Sequence, residues 1–326
     1  MRCGYYDYSK GMMLKEKLKS IERVPLGQWP TPVTRARHLG RAYGLDSLWI
    51  KRDDASAPVV GGSKVRKLEY LLAPDPEIIV TTGGTGSNHV LATAYYGIKT
   101  GTRTCAVLAR QPVDEHSERM HGLIRKWCEE TVAVNTWTAV APAAAKMLLR
   151  YPGCMFVPPG GTTPPGMTGA VRGALELSEQ VESGLLPEPS WIVVAAGSGG
   201  TAAGLLLGLA VSGMKTRILA VRASAFASGN SVTIAALARR TAGFYGFDMA
   251  GEVRADMVRV VHDQIGRGYG YPTPQAQKAL EITRDLEGIP LDPVYTAKAM
   301  AGLEAAAGSL DGTVVFWNTY AAPSLT

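Results

Sequence analysis

Along most of the chain, short unbroken runs of apolar residues alternate with longer segments whose apolar positions recur every three to four residues. The runs Ser47 to Lys51, Glu77 to Thr81, Thr102 to Ala109, Thr131 to Asn135, Met155 to Val157, Ser190 to Ala196, Arg217 to Val221 and Thr313 to Trp317 read as strands. Their continuous hydrophobicity predicts burial on both faces, as in parallel sheets. Helical spacing predicts helices at Ala36 to Tyr43, Ser63 to Leu72, Asn88 to Lys99, Ser117 to Glu130, Val140 to Leu149 and Gly169 to Val181, in the Ala/Leu-rich segment after Thr201, and at Thr273 to Glu287 and Tyr295 to Ala307. Strands and helices in alternation make a mostly parallel α/β protein. Pro30-Thr31-Pro32-Val33 reads as a turn, residues 1 to about 20 read as polar and irregular, and nothing regular is predicted between Val221 and Thr273.

Three glycine-rich turns sit where this pattern changes period. In Gly61-Gly62-Ser63-Lys64, Ser63 is a candidate N-cap and Lys64 falls in the first helical turn. A helix N-terminus disfavours a cation, so a partly desolvated lysine there would lose its proton below the ordinary value of about 10.4. A Schiff-base lysine needs that property, although a surface lysine on an amphipathic helix satisfies the same pattern. Gly86-Ser87-Asn88-His89 offers N–H groups, a hydroxyl, an amide and an imidazole at a helix start, which suits a carboxylate; a simple helix capped by Ser87 or Asn88 is the alternative. Gly197-Ser198-Gly199-Gly200-Thr201 follows a strand and opens a helix, the arrangement of a phosphate cradle or of a plain tight turn. Gly197, Gly199 and Ala202 also spell G-x-G-x-x-A, which keeps an NADP-dependent reductase open. The next strand, however, ends in Val221-Arg222-Ala223-Ser224 with no acid for a ribose, and only Arg222 to suit a 2′-phosphate.

Composition narrows the classes. The net charge of +6 is scattered without basic runs, so a small anionic ligand fits it and nucleic acid does not. Cys3, Cys105, Cys128 and Cys154 are far apart and no Cys/His ligand spacing occurs, so neither a disulfide framework nor a metal site is expected. The N-terminal residues lack the apolar run of a signal peptide, and the longest apolar stretch, Thr201 to Val211, is too short to span a membrane. The expected setting is cytoplasmic. No nucleophile elbow or Walker loop is present.

Five motifs stand in one order: Gly61-Gly62-Ser63-Lys64-Val65-Arg66-Lys67-Leu68-Glu69, Gly86-Ser87-Asn88-His89, Gly197 to Thr201, Gly268-Tyr269-Gly270-Tyr271-Pro272, and Leu291-Asp292-Pro293-Val294-Tyr295-Thr296-Ala297-Lys298 running on to Leu303. Together with Arg52-Asp53-Asp54, they resemble the D-cysteine desulfhydrase and 1-aminocyclopropane-1-carboxylate (ACC) deaminase family from about Leu26 to the C-terminus. The resemblance implies a pyridoxal 5′-phosphate (PLP) enzyme of fold type II, tryptophan synthase β-like, with two mostly parallel open twisted sheets flanked by helices. It places a large PLP-binding domain at 1–59 plus 166–326, a small inserted α/β domain at 60–165, and a homodimer.

By the same resemblance, Lys64 is the PLP lysine and the catalytic base, Lys67 and the loop Gly197, Ser198, Gly199, Gly200 and Thr201 hold the phosphate, and Asn88 contacts the ring hydroxyl. Ser87, Asn88 and His89 face the substrate carboxylate, and Ser87, Tyr269 and Tyr295 are catalytic candidates. Thr296 falls where the partner of the pyridine nitrogen lies. A threonine holds that nitrogen protonated less firmly than a carboxylate would, which favours β-elimination over cyclopropane opening. The implied activity is that of a PLP-dependent lyase on a small amino acid, giving a 2-oxo acid and ammonia. ACC deamination, β-replacement and an inactive PLP-binding relative are the alternatives. The chain departs from the family pattern at Ser63, where asparagine is usual, and at Asn318-Thr319-Tyr320-Ala321, where a His-Thr-Gly-Gly-type loop is usual.

Overall fold

A computed structural model describes residues 8–112, 115–224 and 230–321. Its strands are β1 (Val33–Arg35), β2 (Ser47–Arg52), β3 (Ile78–Gly84), β4 (Arg103–Ala109), β5 (Glu130–Val134), β6 (Met155–Val157), β7 (Trp191–Ala196), β8 (Arg217–Arg222), β9 (Val258–Val261) and β10 (Thr313–Asn318). Its helices are α1 (Tyr8–Lys19), α2 (Arg37–Tyr43), α3 (Ser63–Leu71), α4 (Asn88–Thr100), α5 (Glu115–Trp127), α6 (Val140–Arg150), α7 (Pro164–Glu182), α8 (Gly200–Ser212), α9 (Ser231–Phe244), α10 (Pro274–Glu287) and α11 (Thr296–Ala306).

Two sheets result. A six-stranded sheet has the order β1-β2-β10-β7-β8-β9, parallel except for the antiparallel edge strand β1, and a four-stranded parallel sheet has the order β5-β4-β3-β6. Both are covered on two faces, and the period of two decides which residue goes where. In β7, Ile192, Val194 and Ala196 pack with α7, α8 and α9, while Trp191 and Val193 pack with α11. In β4, Cys105, Val107 and Ala109 meet α6, while Ala106 and Leu108 meet α4 and α5.

Several elements differ from the sequence pattern. Tyr8–Lys19 is a helix, because Leu14 and Leu18, four residues apart and fully buried, anchor it in the core beside α8. Val33 opens a short edge strand rather than completing a turn, since Val33, Thr34 and Arg35 pair with Lys51, Ile50 and Trp49. The stretch after Val221 holds α9 and β9. The helix expected to reach Glu130 stops at Trp127, and Glu130 already pairs in β5.

A buried ionic network fixes α3 against the six-stranded sheet. The Arg66 guanidinium donates to Asp53 (2.8 Å) and to both oxygens of Glu176 (3.0 Å each) and lies 3.8 Å from the centre of the Trp29 ring. Lys51 reaches the same Glu176 and donates to the Thr31 carbonyl (2.7 Å) and Gln180 (2.8 Å), and Trp317 Nε1 donates to Asp53 (2.8 Å).

Candidate active site

A cavity opens where the C-terminal ends of β3, β7 and β10 converge on the start of α3. Ligands in open α/β sheets bind at such strand ends, where loops present backbone groups and helices present their N-termini.

The approach to Lys64 is clamped from the far end of the chain. Gly62 N–H donates to the Asp53 carbonyl (3.0 Å), Ser63 N–H donates to the Thr319 carbonyl (3.0 Å), and Gly62 forms a β-bridge with Tyr320. Gly62 has φ +96, and a Cβ there would come within 2.5 Å of Thr319 O, so only glycine fits. Gly62 is therefore the N-cap of α3. Ser63 is not, because its hydroxyl is buried at the cavity wall with no hydrogen-bond partner.

Lys64 and Lys67 both line the cavity. Burial lowers the Lys64 pKa, with Asp292 acting the other way. Lys67 is fully buried, donates to the Gly160 carbonyl (2.9 Å), and is pushed well below its ordinary value by burial and then by the Lys64 charge. His89 shares this environment and is likewise held well below its ordinary value, by burial and then by both lysines. The Thr81 hydroxyl donates its one hydrogen to the Val157 carbonyl (2.8 Å), so it accepts from His89 Nε2 (3.0 Å). The network thus assigns the imidazole as neutral with Nδ1 bare.

Ser87 caps α4, accepting from Val90 N–H (3.4 Å), and Asn88 follows at the cavity wall. Across the cavity, Gly197 to Thr201 lead into α8, with Gly199 as N-cap at φ +80. The first N–H groups of a helix have no intrahelical partner, so this end favours an anion.

The remaining wall is aromatic. The rings of Trp137 and Tyr269 meet edge-to-face at 5.5 Å, and those of Tyr269 and Tyr295 at 5.9 Å. Burial pushes the Tyr269 pKa up although the hydroxyls of Tyr295 and Ser87 favour its ionised form; burial and then Tyr269 push Tyr295 well above its usual value. Both phenols are therefore protonated at neutral pH. Asp292 is the one acid among the described lining residues. Its carboxylate accepts from the backbone N–H groups of Val294 (2.9 Å), Tyr295 (2.7 Å) and Thr296 (3.1 Å) and from the Thr296 hydroxyl (2.9 Å). Thr296 is fully buried behind this wall and does not line the cavity, unlike the other residues the sequence pointed to.

Comparison with known proteins decides the family. A family model described as "Pyridoxal-phosphate dependent enzyme" matches residues 24–319. The chain belongs to this family. It is 31% identical over 330 residues to a D-cysteine desulfhydrase of Klebsiella pneumoniae (96% of this chain, 98% of the relative) and 32% identical over 327 residues to one of Salmonella newport (94% and 96%). A solved structure of an ACC deaminase homologue superposes with a TM-score of 0.82 at 31% identity, covering 95% of this chain and 94% of the other. A tomato threonine deaminase, 15% identical with a TM-score of 0.69, shares the fold, which is fold type II.

The cavity of this family member fits pyridoxal phosphate on its own geometry. The buried Lys67, the half-buried Lys64 and a helix N-terminus, with no acid hydrogen-bonded to either lysine, suit a phosphate dianion. Glycines keep the floor open: a Cβ on Gly197 would lie 2.9 Å from Tyr295 Cε1, and one on Gly200 would lie 2.7 Å from Thr162 Oγ1. The unpartnered Ser63 hydroxyl adds a polar contact aimed at the same space. No described helix is long and apolar enough to cross a membrane.

Sequence reasoning gave Asp292 no role and passed over Trp137. The Asx turn of Asp292-Pro293 was a readable signal for the first. Trp137 sits in a 3-10 turn far from the motifs, and nothing local marks it.

Proposed function

We propose that the protein catalyses α,β-elimination on a small amino acid of the D-cysteine type, releasing a 2-oxo acid, ammonia and the β-substituent. The observation that carries this reading is the state of the cavity's acid. Asp292 is committed to four donors around the start of α11, two of them from Thr296, which lies behind the wall. No described lining residue thus offers a free carboxylate to hold a pyridine nitrogen protonated. Similarity to D-cysteine desulfhydrases over nearly the whole chain supports the same substrate class.

The bound cofactor would draw electrons from the substrate's Cα, acidifying its proton and loosening the β-substituent. Lys64 would carry it, the α8 N-terminus and Lys67 would face its phosphate, and Asn88 its ring hydroxyl. Ser87 and the N-terminus of α4 hold the substrate carboxylate. Lys64, desolvated and so more easily neutral, takes the α-proton. Tyr269 and Tyr295 remain protonated and serve as donors to the departing β-group. His89 is neutral and adds no charge beside the two lysines.

The test is a product assay. D-cysteine should give sulfide and a 2-oxo acid in equal amounts, at a rate well above that with L-cysteine or ACC. Lys64→Ala should lower turnover on the order of 10²–10⁴-fold while leaving the fold intact. A faster reaction with ACC than with D-cysteine would overturn the elimination reading.

A further inference from the structure

Lys298 is a fully buried lysine that the mechanism above does not use. It lies on α11 one turn beyond Tyr295, and its ammonium donates to two backbone carbonyls, Ile265 O (2.9 Å) and Gly268 O (3.3 Å). Both belong to the loop that presents Tyr269.

That loop has little conformational preference of its own. Gly266, Gly268 and Gly270 have φ of +60, +125 and +82. Tyr269 thus stands between two glycines in the left-handed half of the map, where the unfolded chain has the most freedom and the folded chain needs an external anchor. One flank is tightly fitted, since a Cβ on Gly84 would lie 2.7 Å from the Tyr269 ring and one on Gly270 would lie 3.1 Å from Pro112 Cδ. On the α11 side, Lys298 supplies the anchor. Two carbonyls converging on one buried point need a donor with several N–H bonds and a stem long enough to reach them, which describes an ammonium on four methylenes.

We propose that Lys298 is a positioning residue that sets the Tyr269 phenol against Tyr295 and Ser87, so that α11 aims both tyrosines, one as its own N-cap and the other through this ammonium. The proposal rests on the assignment of Tyr269 as a proton donor in elimination.

The residue's burial fits this part. Burial pulls its pKa down to about 8, against an opposing pull from Asp292, so it still carries a proton at neutral pH. Asp292 also fixes the backbone of Tyr295 (2.7 Å). The two buried charges therefore act on the two tyrosines from one short stretch of chain.

The test is a double-mutant cycle on the PLP-loaded enzyme, read on two reactions. Lys298→Met should lower kcat for elimination about 10²-fold, the size expected when a reacting group is misplaced by an ångström. KM should change little. Exchange of the Cα proton of D-alanine with D2O, which has no leaving group and needs only Lys64, should continue at near wild-type rate. Tyr269→Phe should show the same split, and the double variant should be no slower than Tyr269→Phe alone. Lys298→Arg, which keeps a multiple donor, should recover part of the loss. Multiplicative losses in the double variant, or loss of exchange together with elimination, would overturn the positioning role. If Lys298→Met does not fold, Lys298→Gln and Lys298→Arg run the same cycle with one or more donors retained. If Tyr269→Phe alone eliminates at the wild-type rate, the donor assignment fails instead, and the cycle shows which of the two ideas is wrong.

Discussion

Helix α3 carries three basic side chains in four residues, and the protein treats them in opposite ways. Arg66 points into a network in which two acids, Asp53 and Glu176, answer two bases, Arg66 and Lys51. Burial alone would lower the Arg66 pKa, but Asp53 and Glu176 outweigh it and hold the guanidinium charged. Lys64 and Lys67 point the other way, into the cavity, where burial lowers both and no acid is hydrogen-bonded to either. Buried charges are tolerated when paired and costly when alone. On the proposed function, the contrast separates charge that builds the fold from charge kept for a ligand, and it does so within one helical turn.

Three experiments would break or sharpen this contrast. The largest effect should come from Asp53→Asn, which removes one acid while leaving Arg66 buried and takes an acceptor from Trp317. Uncompensated buried charge of this kind costs about 3–5 kcal/mol, readable as a lower urea midpoint. A loss below about 1 kcal/mol would mean that the network is not structural.

Acid should expose the same network next. Burial would raise the Glu176 pKa, but Arg66 and Lys51 hold it at about 2 against an ordinary 4.5. A depressed carboxylate contributes stability that is complete above its unfolded pKa and lost as pH falls through its folded one. About 3 kcal/mol should therefore disappear between pH 4.5 and about 2, and Glu176→Gln should flatten that part of the stability–pH curve. An identical acid limb in that variant would assign the loss to other groups.

The smallest effect has the opposite sign. Lys67→Met in the cofactor-free protein removes a buried amine that no acid answers, so stability at neutral pH should rise by about 1 kcal/mol. Inorganic phosphate should raise the melting temperature of the wild type and fail to do so in the variant. If Lys67→Met destabilises the cofactor-free protein, the lysine is structural and the contrast collapses.

Much of the fold was legible because buried parallel strands are written as unbroken apolar runs. Residues 8–19 escaped because their buried leucines, Leu14 and Leu18, stand among Lys10, Lys15, Lys17 and Lys19, which read as a polar stretch. The stretch holding α9 and β9 escaped because its helix mixes β-branched residues with glycine and its strand is four residues long. The glycine loops were readable because backbone that must turn tightly or approach a ligand restricts residue type locally. Ser63 misled for a related reason: serine is a good cap in general, but here Gly62 must take that position to clear Thr319. Trp137 and Lys298 acquire meaning only from neighbours distant in sequence, and no local pattern reports those, whereas the donors of Asp292 are its own next residues and its Asx turn could have been read.

The clamp on Gly62 and Ser63 has a consequence for the timing of assembly. Residues 313–321 leave the ribosome after everything they join, yet β10 lies between β2 and β7 and its continuation holds the segment before Lys64. Until that strand is inserted, β2 and β7 lack a shared neighbour and the lysine has no fixed entry to the cavity. If Lys64 carries the cofactor as proposed, a growing chain has no organised amine to offer it or other aldehydes until then.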